Sequence, residues 1–234
     1  MKTYRLLFVL LASALLAACN PNTKVVLNYE HSERYNVGDV TVEQPVSNID
    51  VDWYDGTVTI RHTDRDGLRV YEESDTVLSD SLRMRYRLSD DGTLDIRFCQ
   101  SGSYRHGQLK RLNKRLMVEV PNGQILDGIA IDMVGGVVRI DSVVSRELSI
   151  DAVNVDVEAQ YATLPDEIEV DGVNTKVTMY VPSTAGLTID MDAVNTKLNC
   201  DLPVKKEDKK TIIGDGSCKV DVDAVNGSVN IKEL

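Results

Sequence analysis

The chain has 234 residues, 42% of them hydrophobic, and a formal net charge of −11 at pH 7. That length suffices for one sizeable domain, and the acidic balance argues against a nucleic-acid-binding protein, whose surface has to attract phosphates. Only 5% of the residues are aromatic, which favours a narrow interior filled by small aliphatic side chains over a core anchored by large rings.

The N-terminus predicts a secretory signal. Basic residues precede an apolar run from Leu6 to Leu16, and small residues follow it, as in a cleavable signal peptide rather than a membrane span. The motif Leu16-Ala17-Ala18-Cys19 resembles the bacterial lipobox, in which the cysteine is acylated and becomes the first mature residue. We therefore predict a lipoprotein signal peptide over residues 1–18 and lipidation of Cys19. The alternative is an ordinary signal peptide with a chance cysteine.

Residues 19–40 contain several asparagines and few apolar pairs, which predicts a lipid-anchored tether. An alternating pattern begins near Val42, so the folded domain is predicted to span residues 41–234. A first repeat-like unit is centred on Asp52, with Asp55-Gly56 at its corner.

The segment from Asp64 to Gly107 is less regular. Short strand patterns occur within it, and Asp90-Asp91-Gly92 predicts a turn between two of them. This pair fits either a β-hairpin or an irregular repeat unit with loops. The basic stretch from Arg105 to Arg115 also has two interpretations. Leucines at helical spacing indicate a short amphipathic helix, whereas the same leucines fit a repeat unit with Asn113 at its corner, which we favour.

The remainder of the chain carries five copies of one unit built on Asp-x-Val-Asn. The copies begin at Asp132, Asp151, Asp171, Asp192 and Asp223, at spacings of 19, 20, 21 and 31 residues. Apolar residues recur three and one positions before each Asp, and two, six and eight positions after it. Such alternation on both sides of a small-residue corner predicts strand–turn–strand units with a period of two.

No single copy has enough apolar surface to form a core, so the copies have to stack. Stacking each copy on the next aligns like side chains in columns and pairs backbones about 4.8 Å apart. The sequence therefore predicts an all-β fold: a single-stranded parallel β-solenoid with coils of about 20 residues and a less regular N-terminal half.

An insertion of about ten residues follows the copy at Asp192 and contains four lysines. It is predicted to be a solvated loop, with a basic contact point as the alternative. Of the remaining cysteines, Cys200 and Cys218 flank this insertion. An oxidising compartment would permit a disulfide between them, although they occupy different phases of the repeat. Cys200 also fits an apolar column as a small buried residue.

The corner column is expected to be structural. Asparagine tolerates left-handed backbone, and stacked asparagine side chains can form hydrogen bonds from one copy to the next. The predicted structural ladder consists of Asn154, Asn174, Asn195 and Asn226. Gly135 and Asp55 stand at the same phase and support a turn.

The aspartate column requires an explanation, because unit charges about 5 Å apart repel by roughly 0.8 kcal/mol even in water. Three are open: hydrogen bonds to backbone N–H groups of the following turn, a bound Ca²⁺, or solvent screening. The glycine-rich nonapeptide of calcium β-rolls is absent, so no cofactor is predicted and Ca²⁺ stays an alternative. The candidate cation-facing or ligand-facing ladder consists of Asp132, Asp151, Asp171, Asp192 and Asp223.

No catalytic motif stands out. The three histidines, His31, His62 and His106, are scattered, and the sequence lacks a nucleophile elbow, a phosphate loop and paired metal ligands. Some parallel β-helices are polysaccharide lyases or hydrolases that use carboxylates in a groove. In such an enzyme, Asp190 and Asp192 would be the corresponding carboxylate pair. An active site interrupts a repeat, however, whereas Asp recurs in every copy. We therefore predict a protein that is not an enzyme, with a polysaccharide-acting β-helix as the alternative.

The lipobox, Asn48-Ile49-Asp50-Val51, the run from Asp55 to Ile60, the run from Leu116 to Pro121 and the Asp-x-Val-Asn copies together resemble the bacterial putative adhesin family. The resemblance covers most of the mature chain. It implies a β-solenoid in the cell envelope and a role in adhesion, and it carries no catalytic residues. This chain departs from the family by placing asparagine where glycine is usual at the corner.

The expected protein is thus an exported lipoprotein of the bacterial cell envelope, anchored at the outer membrane. Both the periplasmic and the outer face of that membrane are alternatives for its position. Its expected role is that of a non-catalytic binding, adhesion or structural module. Expected partners are the membrane, through the N-terminal lipid, and an unidentified protein or surface glycan, with a homo-oligomer as a further alternative and nucleic acid excluded. An envelope assembly or stress accessory protein is another alternative.

Overall fold

A computed structural model describes residues 20–234, so Cys19 and the predicted signal peptide lie outside the described residues. The described chain is mainly β-strand with few helical residues, which confirms the all-β prediction. Its strands are β1 (Lys24–Leu27), β2 (Asn36–Val37), β3 (Val40–Val42), β4 (Asn48–Thr63), β5 (Leu68–Glu73), β6 (Arg85–Leu88), β7 (Thr93–Arg97), β8 (Gly102–Arg105), β9 (Arg115–Pro121), β10 (Ile125–Asp141), β11 (Val144–Val153), β12 (Val155–Gln160), β13 (Glu167–Val173), β14 (Lys176–Val181), β15 (Leu187–Cys200), β16 (Val204–Glu207), β17 (Lys210–Ile213) and β18 (Cys218–Glu233). The helical elements are α1 (His106–Lys110) and the 3-10 turns Ser32–Arg34 and Asp80–Leu82.

Residues of equal phase in different copies lie side by side. Strand β10 pairs in parallel with β11, which places Asp132 opposite Asp151, and β11 pairs with β13, which places Asp151 opposite Asp171. The second halves of the copies align in the same way, with Val138 of β10 opposite Val157 of β12. This register agrees with the columns read from the sequence.

The prediction of a parallel β-solenoid is wrong. Six strands form a closed parallel β-barrel, in the order β10, β11, β13, β18, β14, β12 and back to β10. The barrel closes because β10 and β18 are long enough to pair through both of their halves. Further strands, including β4 and β15, are hydrogen-bonded outside this closed set.

The copies also do not neighbour each other in chain order. Strand β18 lies between β13 and β15 and pairs with both. At the other side, β4 lies between β10 and the later strands β7 and β9. The alternation of apolar and polar residues determines which residues lie side by side. Because the copies are similar, this register is the same whichever copy lies next to which, so the pattern does not give the order of the strands.

Residues 20–40, predicted as a tether, pack against the domain. Strand β1 pairs antiparallel with β8, β2 with β6 and β3 with β5. The Tyr29 hydroxyl donates a hydrogen bond of 3.1 Å to the carbonyl oxygen of Cys99. The composition of this segment did not reveal these partners because they are backbone groups distant in the chain.

The irregular segments combine the alternatives that their sequences left open. Strands β6 and β7 form a hairpin, and β7 also pairs in parallel with β4. The basic stretch contains the short helix α1 and then Asn113, whose φ of 44° turns the corner into β9. The lysine-rich insertion is a β16–β17 hairpin rather than a loop, and β17 extends the sheet beside β15.

The interior is lined by a column that the alignment did not single out. The residue directly after each Asp faces inward, and Trp53, Met133 and Ala152 are at most 2% exposed. The valine two positions after each Asp varies in burial: Val153 is 2% exposed, whereas Val194 is 61% exposed. Within residues 20–234, no helix has the length and hydrophobicity to cross a membrane.

Candidate functional site

Aspartates form a continuous row across the outside of the sheet. Each Asp alternates with buried neighbours, such as Ile131 and Met133 around Asp132, so its side chain points away from the core. In order of pairing the row is Asp52, Asp132, Asp151, Asp171, Asp223 and Asp192. The sequence predicted five of these residues. Asp52 was recognised only as part of a first repeat unit, and its register opposite Asp132 places it in the row.

A second row, acidic except at its centre, lies two residues earlier in the same sheet. Its members are Asp95, Asp50, Ala130, Ser149, Glu169, Asp221 and Asp190. A shallow groove of about 560 Å³ runs along both rows, and every charged residue that lines it is acidic. These are Asp50, Asp132, Glu147, Asp151, Glu169 and Asp171. We call these two rows and the groove the acidic face.

Among residues 20–234, cations pair with the acidic face only near its ends. At one end Arg97 Nη1 lies 2.6 Å from Asp50 Oδ1. At the other end Lys210 Nζ lies 3.6 Å from Asp190 Oδ2, and Lys219 Nζ lies 2.6 Å from Asp221 Oδ2. Within the described residues, the central Asp132, Asp151 and Asp171 form no ion pair. The centre of the face therefore carries uncompensated carboxylates.

Desolvation, together with the charges of neighbouring carboxylates, raises the pKa values of Asp132 and Asp171. Desolvation at the groove floor raises the pKa of Asp132 to about 8, with the charges of Asp151 and Asp52 adding to it, although the side chain still reaches water. Desolvation and the charges of Asp151 and Asp223 raise the pKa of Asp171 to about 6. Near neutral pH Asp132 is therefore mostly protonated whereas Asp171 is mostly ionised, so the middle of the row keeps part of its negative charge.

The geometry bears on the three explanations for the aspartate column. In residues 20–234, the row aspartates accept no hydrogen bond from backbone N–H groups of the following turn. No group of three or more His, Cys, Asp or Glu side chains in that part of the chain has an arrangement suited to a metal ion. Among the described residues, solvent exposure and proton uptake each lower the repulsion.

The corner asparagines have the expected backbone. Asn154, Asn174, Asn195 and Asn226 have φ values of 56°, 54°, 54° and 56°. Asn174 Nδ2 donates to Asn154 Oδ1 at 2.9 Å, and Asn195 Nδ2 donates to Asn226 Oδ1 at 3.2 Å. The left-handed conformation costs most residues about 1–2 kcal/mol, whereas asparagine tolerates it. The asparagine column therefore has a structural role at the corners of the sheet.

Cys200 and Cys218, for which the sequence left a disulfide open, are free thiols in the structure. Cys200 lies opposite Ile231, and Cys218 lies opposite Leu187, so the two thiols are at opposite ends of the paired strands β15 and β18. The structure therefore does not support a Cys200–Cys218 disulfide. Burial raises the pKa of the Cys218 thiol to about 12, which leaves it unreactive.

No protein-family model and no curated protein matches the chain. Among solved structures, it is similar to a structure described as a putative cell adhesion protein from Clostridium sporogenes, with a TM-score of 0.68 and 15% identity over 86% of this chain and 100% of that chain. A putative adhesin from Bacteroides fragilis aligns with a TM-score of 0.36 and 12% identity over 86% and 98% of the two chains. The first likeness shows a shared fold. The second is too weak to add to it.

Proposed function

We propose that this protein is a non-catalytic, adhesion-like binding module that contacts its partner through the acidic face. The observation that carries this proposal is the uncompensated centre of that face, where Asp132, Asp151 and Asp171 repeat in phase on neighbouring strands. A glycosidase needs two carboxylates that flank one bond in different roles. An exposed row of equivalent carboxylates suits contact with an extended surface instead.

The chemistry of the face favours a basic protein surface as the partner. Complementary charge steers two proteins together and suppresses partners of like charge, so nucleic acids and anionic glycans are disfavoured. The shared fold with a protein described as a cell adhesion protein supports this role at the level of architecture.

For the cellular address, we propose an exported lipoprotein held in the envelope by acylated Cys19, supported by the motif Leu16-Ala17-Ala18-Cys19. Metabolic labelling with an alkyne fatty acid tests this. The full chain is expected to carry the label and to sediment with membranes, and Cys19→Ser is expected to lose both properties. A labelled or membrane-bound Cys19→Ser protein would contradict the anchor.

The binding proposal is tested with cells that display the full chain at their surface. Their attachment to surfaces coated with a lysine-rich protein is compared with their attachment to surfaces coated with a glutamate-rich protein. Attachment to the lysine-rich surface is expected, and the triple variant Asp132→Asn, Asp151→Asn, Asp171→Asn should abolish it. The matched control replaces three exposed aspartates outside the acidic face, Asp141, Asp156 and Asp201, with asparagine and should attach normally.

Two further measurements separate this function from its alternatives. Attachment should weaken between about 0.1 M and 1 M salt, because the Debye length falls from about 10 Å to about 3 Å. Equal attachment of the triple variant and the control would overturn the role of the acidic face. Release of reducing sugar from a polysaccharide panel would overturn the non-catalytic assignment.

A further inference from the structure

The row of corner residues is interrupted at two neighbouring strands. Where other copies have asparagine, β4 has Asp55 and β10 has Gly135, and these two residues lie opposite each other. The left-handed backbone is displaced to the following residues, Gly56 with a φ of 112° and Gly136 with a φ of 119°. A local departure from an otherwise uniform repeat indicates a candidate functional site rather than a purely structural position.

A cavity of about 440 Å³ lies at this interruption. Asp55, Gly135 and Asn154 line it, together with Val134 and Val153. A Cβ atom on residue 135 would lie 2.9 Å from Asp55 Oδ2, so the glycine allows the carboxylate to lie against the neighbouring strand. The interruption thus creates both the space and a charged group within it.

The rest of the cavity is formed by elements outside the repeat. Strand β1 and helix α1 supply Lys24, Val25, Leu27, His106 and Lys110. Strand β1 is held by its antiparallel pairing with β8. The backbone N–H of His106 also donates to the carbonyl oxygen of Thr23 at 2.9 Å, so the two elements are fixed to each other.

One hydrogen bond orients the imidazole of His106. The Tyr54 hydroxyl lies 2.6 Å from His106 Nδ1. Burial raises the pKa of Tyr54 to about 12, so the phenol keeps its proton and donates it. In the neutral imidazole the other nitrogen, Nε2, then carries the ring proton and is available as a donor.

Opposite charges converge on the cavity without pairing inside the protein. The Asp55 carboxylate accepts no hydrogen bond from a described residue. Burial raises the pKa of Asp55, and the charge of Lys110 opposes that shift. Lys110 and His106 line the same cavity as this carboxylate. Neither Lys24 nor Lys110 forms an ion pair with any residue from 20 to 234. Much of the remaining lining is aliphatic and comes from Val25, Val26, Leu27, Val134 and Val153.

We propose that this cavity binds a small zwitterion with an aliphatic side chain, namely an α-amino acid or the end of a short peptide. The ligand's ammonium group pairs with Asp55, its carboxylate with Lys110 and His106, and its side chain packs on Val134 and Val153. The cavity volume lies in the range of small-molecule sites, which combine apolar walls with a few convergent polar groups.

The geometry favours a zwitterion over a neutral sugar. A sugar site usually presents an aromatic face for stacking, but Tyr54 is only 8% exposed and its ring makes an edge contact with Phe98 at 6.0 Å. The site is also distinct from the acidic face, because every charged residue of that groove is an acid whereas this cavity has charges of both signs.

Isothermal titration of the full chain tests the proposal with L-valine, the dipeptide Ala-Val, and the N-acetylated and C-amidated forms of each. Binding of a free zwitterion is expected, and blocking either end should weaken it about tenfold or more. Binding of valine alone identifies an amino-acid site, and stronger binding of Ala-Val identifies a peptide-end site.

Variants locate the binding in the cavity. Asp55→Asn and Lys110→Gln should each weaken the bound zwitterion about tenfold or more, and Lys197→Gln, an exposed lysine at the far side of the sheet, should leave affinity unchanged. Because Lys110 is exposed, its variant keeps the test valid even where Asp55→Asn lowers the melting temperature. No heat with either zwitterion at about 10 mM, equal affinity of the blocked forms, or full affinity in Lys110→Gln would overturn the proposal.

Discussion

Lys114 Nζ lies 2.6 Å from Glu72 Oε2, and the two side chains are 0% and 3% exposed. The ammonium group also donates to the carbonyl oxygens of Leu82, at 2.9 Å, and Phe98. It lies 4.9 Å from the ring centre of Trp53 and 4.3 Å from that of Phe98. This buried ion pair links β5 to the residue before β9 beside Trp53 of β4, and burial lowers the pKa of Lys114.

Replacing Lys114 with methionine should lower the free energy of unfolding by about 3–5 kcal/mol, because it leaves the Glu72 carboxylate buried without a countercharge. The double variant Lys114→Met, Glu72→Gln should recover part of this loss, since no buried charge remains. Urea denaturation of the wild type and both variants measures these values. A loss below about 1 kcal/mol, the size expected of a surface pair, would contradict the burial.

Stability should rise as the pH falls from about 8 towards 4. The folded pKa values of Asp132, about 8, and Asp171, about 6, lie above the ordinary 3.8, so the folded state binds more protons than the unfolded state within this window. Their stabilising protonation is fully present below pH 3.8 and is lost as the pH rises through the folded values.

The melting temperature from pH 4.5 to pH 8.5 measures this dependence, where about 1 kcal/mol corresponds to roughly 2–4 °C. Asp132→Asn should flatten the profile, and Asp156→Asn, outside the acidic face, should leave it unchanged. Glu119 has a pKa lowered below 4.5 by its hydrogen bond with Arg61, so it titrates outside the window. A melting temperature that rises with pH in both the wild type and Asp132→Asn would contradict the raised pKa values of the row.

Replacing Asn174 with alanine should destabilise the fold by about 2–3 kcal/mol. The left-handed backbone costs alanine about 1–2 kcal/mol, and the hydrogen bond to Asn154 contributes about 1 kcal/mol. Asn174→Gly loses the same hydrogen bond but accepts the backbone freely, so it should lose less than Asn174→Ala. Chemical denaturation of the pair isolates the backbone contribution, and equal losses would show that the conformation at the corner is not left-handed.

Engineered cysteines test the order of strands. Lys197 of β15 lies opposite Ser228 of β18, and Ser228 lies opposite Lys176 of β14. Lys197→Cys with Ser228→Cys should form a disulfide, because paired strands are about 4.8 Å apart and a disulfide spans Cα atoms up to about 7 Å apart. Lys176→Cys with Lys197→Cys should not, because β18 lies between them. Peptide mapping by mass spectrometry distinguishes the two variants, and the reverse result would restore stacking in chain order.

The sequence predicted local relationships well and the arrangement of copies poorly. Because alternation and corner chemistry are properties of neighbouring residues, the columns placed Asp151 opposite Asp171 and asparagine at left-handed corners. The position of β18 between β13 and β15 depends on long-range competition among similar strands, which no local pattern records. The cavity at Asp55 and Gly135 was visible only as two substitutions in a turn, because its other walls come from β1 and α1, distant in the chain.

The position of β18 has a consequence for how the molecule is made. The chain is made from its N-terminus to its C-terminus, so β13 and β15 are exposed before β18 exists. Their aspartate and asparagine residues match well enough for the two strands to pair with each other. That early pairing has to separate again before the final strand enters between them. We therefore expect slow folding limited by this insertion, and a benefit from any factor that keeps β15 unpaired until synthesis reaches the end of β18.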